Sequence, residues 1–485
     1  MGKPLVFHAN FIHSVDGKLE ILENKYLTVT NRIITSISDH LPNPNNEVIE
    51  ATKTQFIMPG LIDTHIHAPQ YSFIGCGLDL PLMEWLDTYT FPAESKFTDL
   101  EYAKQVYSTV VKRSLSCGTT TASYFATIDK NASLVLAECC IQNGQRAFVG
   151  KVTMDRNSPH FYIEETNEAA MNEKKFIKEC FQLSKQNILN QTFNEDKNKN
   201  EDNNQTLNKN TNKNENRDEN ENRNENENRN ENENANLLVQ PILTPRFVPT
   251  CTKEVMIKLS EIQKEYPSLL IQSHVSENMN EIELVKSLHC ESDHYCGVYN
   301  DVGLLNSHTI LAHGVHLTDN ELLLLAEKKA TIAHCPSSNF QIFSGACDVK
   351  RLQKANVNVS LGTDVAGGES ISMIHSMRNA LVCSRSILFT KRAVDGNKDN
   401  YQPLTVPEVI TMATECGAKA LGLSDKIGNF VVGKEFDAIV VDMDTGFTDC
   451  FGNVKITDLL DKFVHTGDDR NIVRVYVRGN LVKKQ

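Results

Sequence analysis

Four places in the sequence put a metal-ligating side chain directly after a short apolar run. Pro59-Gly-Leu-Ile-Asp-Thr-His65-Ile-His67 carries two imidazoles two residues apart. On a strand, residues i and i+2 share a face, so both rings can grip one ion. Ile271-Gln-Ser-His274 and Ile310-Leu-Ala-His313 each end in a further imidazole, and Leu361-Gly-Thr-Asp364 ends in a carboxylate. Imidazole nitrogens and a carboxylate oxygen around an open position make the donor set of a catalytic zinc site, although the same donors suit iron. Zinc held there would bring the pKa of a water towards 7, making hydroxide available at neutral pH. Each residue alone has a plainer reading, as a core histidine bonded to backbone or an aspartate capping a helix. Four such strand ends in one chain point to a site.

Donors spread from residue 65 to 364 need a scaffold that gathers strand ends. Residues 59–427 alternate short apolar runs, such as Ile310-Leu-Ala-His, Ala330-Thr-Ile-Ala-His and Val357-Asn-Val-Ser-Leu-Gly-Thr-Asp, with helical stretches at 319–329 and 406–421. Repeated β-then-α units predict an α/β fold, a (β/α)8 TIM-type barrel with its active-site residues at strand C-termini. Both ends of the chain read as β: 27–37 with an Asn31-Arg32 turn, 48–57, then 427–434, 436–442 and 473–482. They predict a small discontinuous β-sandwich domain built from 1–58 and 428–485, flanking the barrel.

Residues 194–236 stand apart. These 43 residues hold 19 Asn, 12 acidic and 7 basic residues, with Leu207 the one large apolar side chain. Nothing in them offsets the entropy of ordering, so they read as a disordered insertion. An Asn-rich aggregation or partner element is the alternative, which the interspersed charge disfavours. Closure entropy grows slowly with loop length, so the two flanks are expected to belong to one domain.

The 485 residues are 40% hydrophobic, enough for a sizeable core, and carry a net charge of −13. That charge argues against a nucleic-acid partner. No apolar run reaches the roughly 18 residues of a membrane span, and the N-terminus has neither a signal-peptide pattern nor a myristoylation motif. Thirteen Cys without framework spacing read as reduced thiols of a cytoplasmic protein.

The order His-x-His, His, His, Asp resembles the amidohydrolase superfamily, and the resemblance covers nearly the whole chain except the Asn-rich tract. More specific segments resemble the guanine-deaminating family within it: Ala68-Pro-Gln-Tyr-Ser-Phe73, Leu80-Pro-Leu-Met-Glu-Trp-Leu86, Tyr89-Thr-Phe-Pro-Ala-Glu94, Thr244-Pro-Arg-Phe247, Ser273-His-Val-Ser-Glu-Asn278, Ala333-His-Cys-Pro-Ser-Ser-Asn339 and Leu361-Gly-Thr-Asp-Val-Ala-Gly-Gly368. The resemblance implies hydrolysis of guanine to xanthine and ammonia at one Zn2+ per subunit. It assigns His65, His67, His274 and Asp364 as ligands, with His313 beside the attacking water or as a further ligand. Glu277 would shuttle protons, Asp364 would polarise the water, and His313 would assist them. Gln70, Arg246, Phe247 and His274 would contact the purine; an amide reads a purine edge with paired donor and acceptor. Phe247 or Trp85 would cover the ring face. For Trp85 core packing is an equal alternative, and for Arg246 a surface ion pair. The family implies a homodimer acting on a free purine base, while charge and hydropathy leave no nucleic-acid or membrane partner expected.

The sequence also departs from its wider relatives. Many of them bridge two metals with a modified lysine on a middle strand, and Leu237-Leu-Val-Gln-Pro-Ile-Leu-Thr-Pro-Arg246 has none, hence one zinc. The His289, Cys290, His294, Cys296 cluster is a weaker second metal candidate, set in a loop after a helix at 281–288. His334 is a candidate for substrate contact. The competing functions are deamination of another purine, a nucleoside or a pterin on the same site, and a non-catalytic scaffold on the same fold.

Overall fold

A computed structural model describes residues 3–203 and 236–484, with side chains omitted for 188–203. The termini form one eight-stranded sheet. From the N-terminus come β1 (Leu5–Val15), β2 (Lys18–Thr30), β3 (Ile33–Ser38), β4 (Val48–Glu50) and β5 (Gln55–Pro59). The 31–32 hairpin turn carries φ +50° and +76° at Asn31 and Arg32, the left-handed geometry of a two-residue turn.

The central segment supplies β6 (Leu61–His67), β7 (Thr119–Phe125), β8 (Arg146–Gly150), β9 (Val152–Thr153), β10 (Val239–Pro241), β11 (Thr244–Pro245), β12 (Ile271–Val275), β13 (Thr309–His313), β14 (Thr331–His334) and β15 (Asn358–Leu361). The last strands are β16 (Ala438–Asp442), β17 (Ile472–Val477) and β18 (Asn480–Lys484). The terminal order is β18-β17-β16-β5-β1-β2-β3, with β4 beside β1.

The expected two-sheet sandwich is therefore one ladder, because β5 pairs with both β1 and β16. The sheet curls: Phe7 of β1 meets Phe436 at 5.0 Å and Tyr476 of β17 at 5.4 Å between ring centroids. This encloses an aromatic core with Phe11, Leu27 and Phe430. The expected strand at 427–434 is irregular backbone. Gly428 and Gly433 have φ of +94° and +97°, and Phe430 between them plugs the core edge-on to Phe11.

The central strands are parallel and separated by helices, the α/β architecture read from the sequence. They form two four-stranded sheets, β6-β7-β8-β10 and β12-β13-β14-β15, with β9 and β11 paired between them. Among the described residues the strand ladder does not run continuously round a closed barrel. At one seam Leu243 bridges Ile271 in parallel. At the other, Asp364 N donates to His65 O at 2.9 Å and His67 N to Val365 O at 3.2 Å. Ser123 of β7 donates to Gln272 of β12 at 2.8 Å, so the two sheets face a shared interior.

The helix at 406–421 is broken: Val406–Ala413 and Glu415–Ala420 are separated by Thr414, at φ −129° and ψ −83°. The helix Thr166–Asn203 runs through residues 194–203, which composition alone reads as disordered. Residues 204–235 of that tract lie outside the described residues. Its flanks do pack together, with Ser184 Oγ donating to Val239 O at 2.6 Å. Among the described residues no helix is long and apolar enough to cross a membrane, and all thirteen cysteines are free.

Candidate active site

Strand alternation and burial place both residues of the His-x-His pair on the inner face at the C-terminal end of β6. His274 comes from β12, His313 from the end of β13, and Asp364 from the loop after β15. His65, His67, His274 and Asp364 bring one ligand atom each within 4.8 Å of one another, all buried. His65 Nε2 lies 3.1 Å and His67 Nε2 3.4 Å from Asp364 Oδ1, and His67 Nε2 lies 3.2 Å from His274 Nε2. His313 stands at the far oxygen, 3.7 Å from Asp364 Oδ2, in a second group with Cys335 and Asp364. His313 and Asp364 hold φ of +76° and +48°, left-handed geometry that is costly for side-chain-bearing residues and recurs at functional sites.

These residues fit a divalent cation. His274 Nδ1 faces Arg246 O at 2.6 Å. A carbonyl only accepts, so that nitrogen carries the proton and Nε2 turns a lone pair towards His67. His65 Nε2 is buried without a hydrogen-bond partner. Burial above all holds the His67 and His274 rings well below their usual pKa, reinforced by the neighbouring His65. Burial pushes Asp364 upward, but His65 above all outweighs it and holds the carboxyl well below its usual range. Converging neutral imidazoles and a carboxylate are what a zinc-type ion takes.

Glu277 sits at the nest's rim, Oε2 3.3 Å from His313 Nε2 and Oε1 accepting from Ser344 Oγ at 3.0 Å. Burial, then the Asp364 charge, pushes it up to about 8. A cleft opens beside the nest, lined by Gln70, Trp85, Arg246, Phe247, His274 and Glu277 among others, apolar and aromatic walls with a few convergent polar groups, the make-up of a small-molecule site. Trp85 lines the cleft and also packs in the core against Phe73.

Arg246 is no surface residue. It is 2% exposed and forks onto Glu94, Nη1 to Oε2 at 2.6 Å and Nη2 to Oε1 at 3.1 Å. Burial works against the Arg246 cation, and the Glu94 carboxylate outweighs it, raising the pKa. His334 is fully buried with both ring nitrogens unpartnered and is not among the cleft-lining residues.

Sequence reasoning passed over several residues here. Glu94 has no role legible from the Tyr89–Glu94 segment alone. Asp63 takes Thr363 Oγ1 at 2.5 Å, Thr363 N at 3.1 Å and His65 N at 3.2 Å, pinning the two ligand-bearing segments together. Ser344 holds Glu277, and Asn339 Oδ1 lies 2.8 Å from His313 Nδ1. The available signal was a carboxylate inside otherwise apolar segments, Leu61-Ile-Asp63 and Phe91-Pro-Ala-Glu94. Among the described residues, the metal-type groups are this nest and the His313, Cys335, Asp364 set that shares Asp364 with it. The loop cluster does not gather: His294 Nδ1 caps its helix by accepting from Gly297 N at 3.0 Å, and His289 Nε2 meets Arg156 at 2.8 Å.

A histidine–carboxylate nest at parallel-strand ends, with a further glutamate carboxyl beside it, defines a metal-dependent hydrolase. The Amidohydrolase family profile matches residues 56–482, and the chain belongs to that family. It is 39% identical to a guanine deaminase of Dictyostelium discoideum, over 99% of this chain and 98% of the relative. It is 41% identical to the guanine deaminase of Homo sapiens, over 90% of this chain and 85% of the relative. The crystal structure of guanine deaminase from C. acetobutylicum with bound guanine in the active site superposes with a TM-score of 0.80 at 31% identity, covering 99% of both chains. These neighbours carry a TIM-barrel-type α/β fold, into which the parallel strands fit.

Proposed function

We propose that this chain hydrolyses guanine to xanthine and ammonia at one zinc ion per subunit. The observation that carries the reading is a cleft that opens onto the four-residue metal nest and is lined by Glu277, Gln70 and Arg246, in a chain similar over its length to guanine deaminases. His65, His67, His274 and Asp364 would hold the zinc. When bound, that ion supplies Lewis acidity and a water made acidic enough to be a nucleophile near neutral pH.

The reaction adds water across the C2–N3 double bond of guanine and expels the C2 amine as ammonia. Glu277 takes a proton from the water, hands it to N3, and serves again as the amine leaves. His313, 3.3 Å from Glu277, stabilises charge developing on the incoming oxygen. Gln70 and Arg246 orient the base, and Phe247 and Trp85 cover its face. The two parallel sheets would close as one (β/α)8 barrel over 59–427, supported by hydrogen bonds at both seams. The terminal segments 1–58 and 428–485 would form a separate domain. Free thiols throughout support a reduced, cytoplasmic setting, and exposed Val382 and Phe389 on the helix Met373–Asp395 support a homodimer face.

The purified, metal-counted protein should release ammonia and xanthine from guanine, lose that activity to a chelator and regain it with zinc. Turnover of adenine, a nucleoside or a pterin with inert guanine would overturn the substrate. Tight zinc without ammonia release from any of them would make the chain a scaffold.

A further inference from the structure

Glu94 reaches the cleft from behind. It is 1% exposed, at the end of the short helix Phe91–Glu94. Its own atoms line a neighbouring cavity beside Asp129 and Tyr162, while Gln70 and Arg246 stand in the cleft wall. Its Oε1 accepts from Gln70 Nε2 at 2.9 Å and from Arg246 Nη2 at 3.1 Å, and its Oε2 from Arg246 Nη1 at 2.6 Å. On its other end, Gln70 Oε1 accepts from Ala366 N at 3.0 Å.

These contacts remove a freedom that a glutamine normally has. An amide side chain can turn over and exchange its donor for its acceptor. A carboxylate only accepts and a backbone N–H only donates, so between Glu94 and Ala366 the Gln70 amide has one orientation. The same carboxylate fixes the plane of the Arg246 guanidinium through a two-point fork. The wall therefore keeps the second Gln70 N–H and the remaining Arg246 N–H groups at set positions, which suits a ring acceptor such as a 6-oxo group.

We propose that Glu94 is a positioning residue that fixes this donor pattern and so sets the preference for 6-oxopurines; the inference rests on the purine reading above. Glu94 touches no substrate in this account and acts through Gln70 and Arg246.

The test is calorimetric binding of two bases to the zinc-loaded enzyme. Hypoxanthine carries the 6-oxo group and no 2-amino group, so nothing is released from it; purine lacks both. Wild type should prefer hypoxanthine. In Glu94→Gln that preference should shrink by about tenfold or more, and KM for guanine should rise more than kcat falls. Glu94→Asp keeps a counterion for Arg246 but is a methylene short of both partners, so its preference should be intermediate. An unchanged hypoxanthine-to-purine ratio in Glu94→Gln overturns the proposal, whether both affinities fall or neither does. Should that variant not fold, an unchanged ratio in Glu94→Asp overturns it. A wild type that leaves guanine intact, yet loses its hypoxanthine preference on Glu94→Gln, removes the deaminase reading and keeps Glu94's role. A wild type that binds neither base removes both.

Discussion

Two buried arginines sit at opposite ends of the parallel strands, each against carboxylates, and they do different work. Arg246 follows β11 at the C-terminal side, where it shares Glu94 with Gln70 and lines the cleft. Arg146 begins β8 at the N-terminal side. Its Nε donates to Asp437 at 3.1 Å and its Nη2 to Glu435, while Arg478 joins Glu435 at 3.1 Å. Burial works against the Arg146 cation, and Asp437 and Glu435 overcome it, raising its pKa. Its carboxylates come from the segment leading into β16, so the cluster ties the central strands to the terminal sheet. On the function proposed above, similar ion pairs serve recognition beside the cleft and cohesion at the opposite end of the strands. In barrel-type folds the C-terminal ends carry chemistry and the N-terminal ends carry stability.

The comparison breaks most visibly at the catalytic side. Glu277→Gln should retain metal and fold while turnover drops by about 10²–10⁴-fold, read as ammonia release beside a melting curve. Undiminished release would take Glu277 out of the mechanism. At the opposite end, Arg146→Met should lower unfolding free energy by about 3–5 kcal/mol, because Asp437 is left buried without its cation. Adding Asp437→Leu should recover much of that loss. Denaturant titrations of the single and double variants check this, and the activity of the folded fraction should stay at the wild-type level. A loss of kcat as large as the loss of stability would erase the distinction between the two ends.

A third buried cluster sharpens the contrast because its carboxyl has no cation of its own. Glu173 is fully buried, with Oε1 unpartnered, while Lys151 is held by Glu164 at 2.5 Å. Burial pushes Glu173 up to about 8 from 4.5, with Lys151 pulling the other way. The native state then keeps a proton that the unfolded chain releases. Its contribution to stability is greatest below about pH 4.5 and declines as pH rises to about 8. Glu173→Gln should flatten that decline and stabilise the protein at pH 8 by up to about 4 kcal/mol. Urea unfolding at pH 5 and pH 8 measures it, and an unchanged pH slope would contradict it.

Local pattern made the strand ends legible. His65, His67, His274, His313 and Asp364 each follow a run whose alternation or apolarity is a strand signal, and strand ends are where this architecture places function. Hairpins such as Asn31–Arg32 were equally readable. Breaks were less so. The helix at 406–421 has a continuous apolar periodicity, which carries no sign of the interruption at Thr414. Phe430 reads as a strand residue yet plugs a core between two glycines. The helix running into residues 194–203 continues one begun well before the polar tract, so composition within the tract gave no sign of it.

By itself the sequence determined the donor set, the β/α alternation and the family resemblance, because each is written in residues close along the chain. The tertiary structure alone decided what joins across long separations: Glu94 with Arg246, 152 residues apart, Asp63 with Thr363, 300 apart, and Ser344 with Glu277, 67 apart. It also joined the terminal strands into one sheet. A buried carboxyl has no periodicity to betray its partner; its role follows from whichever donors folding brings to it, and burial makes those pairings obligatory.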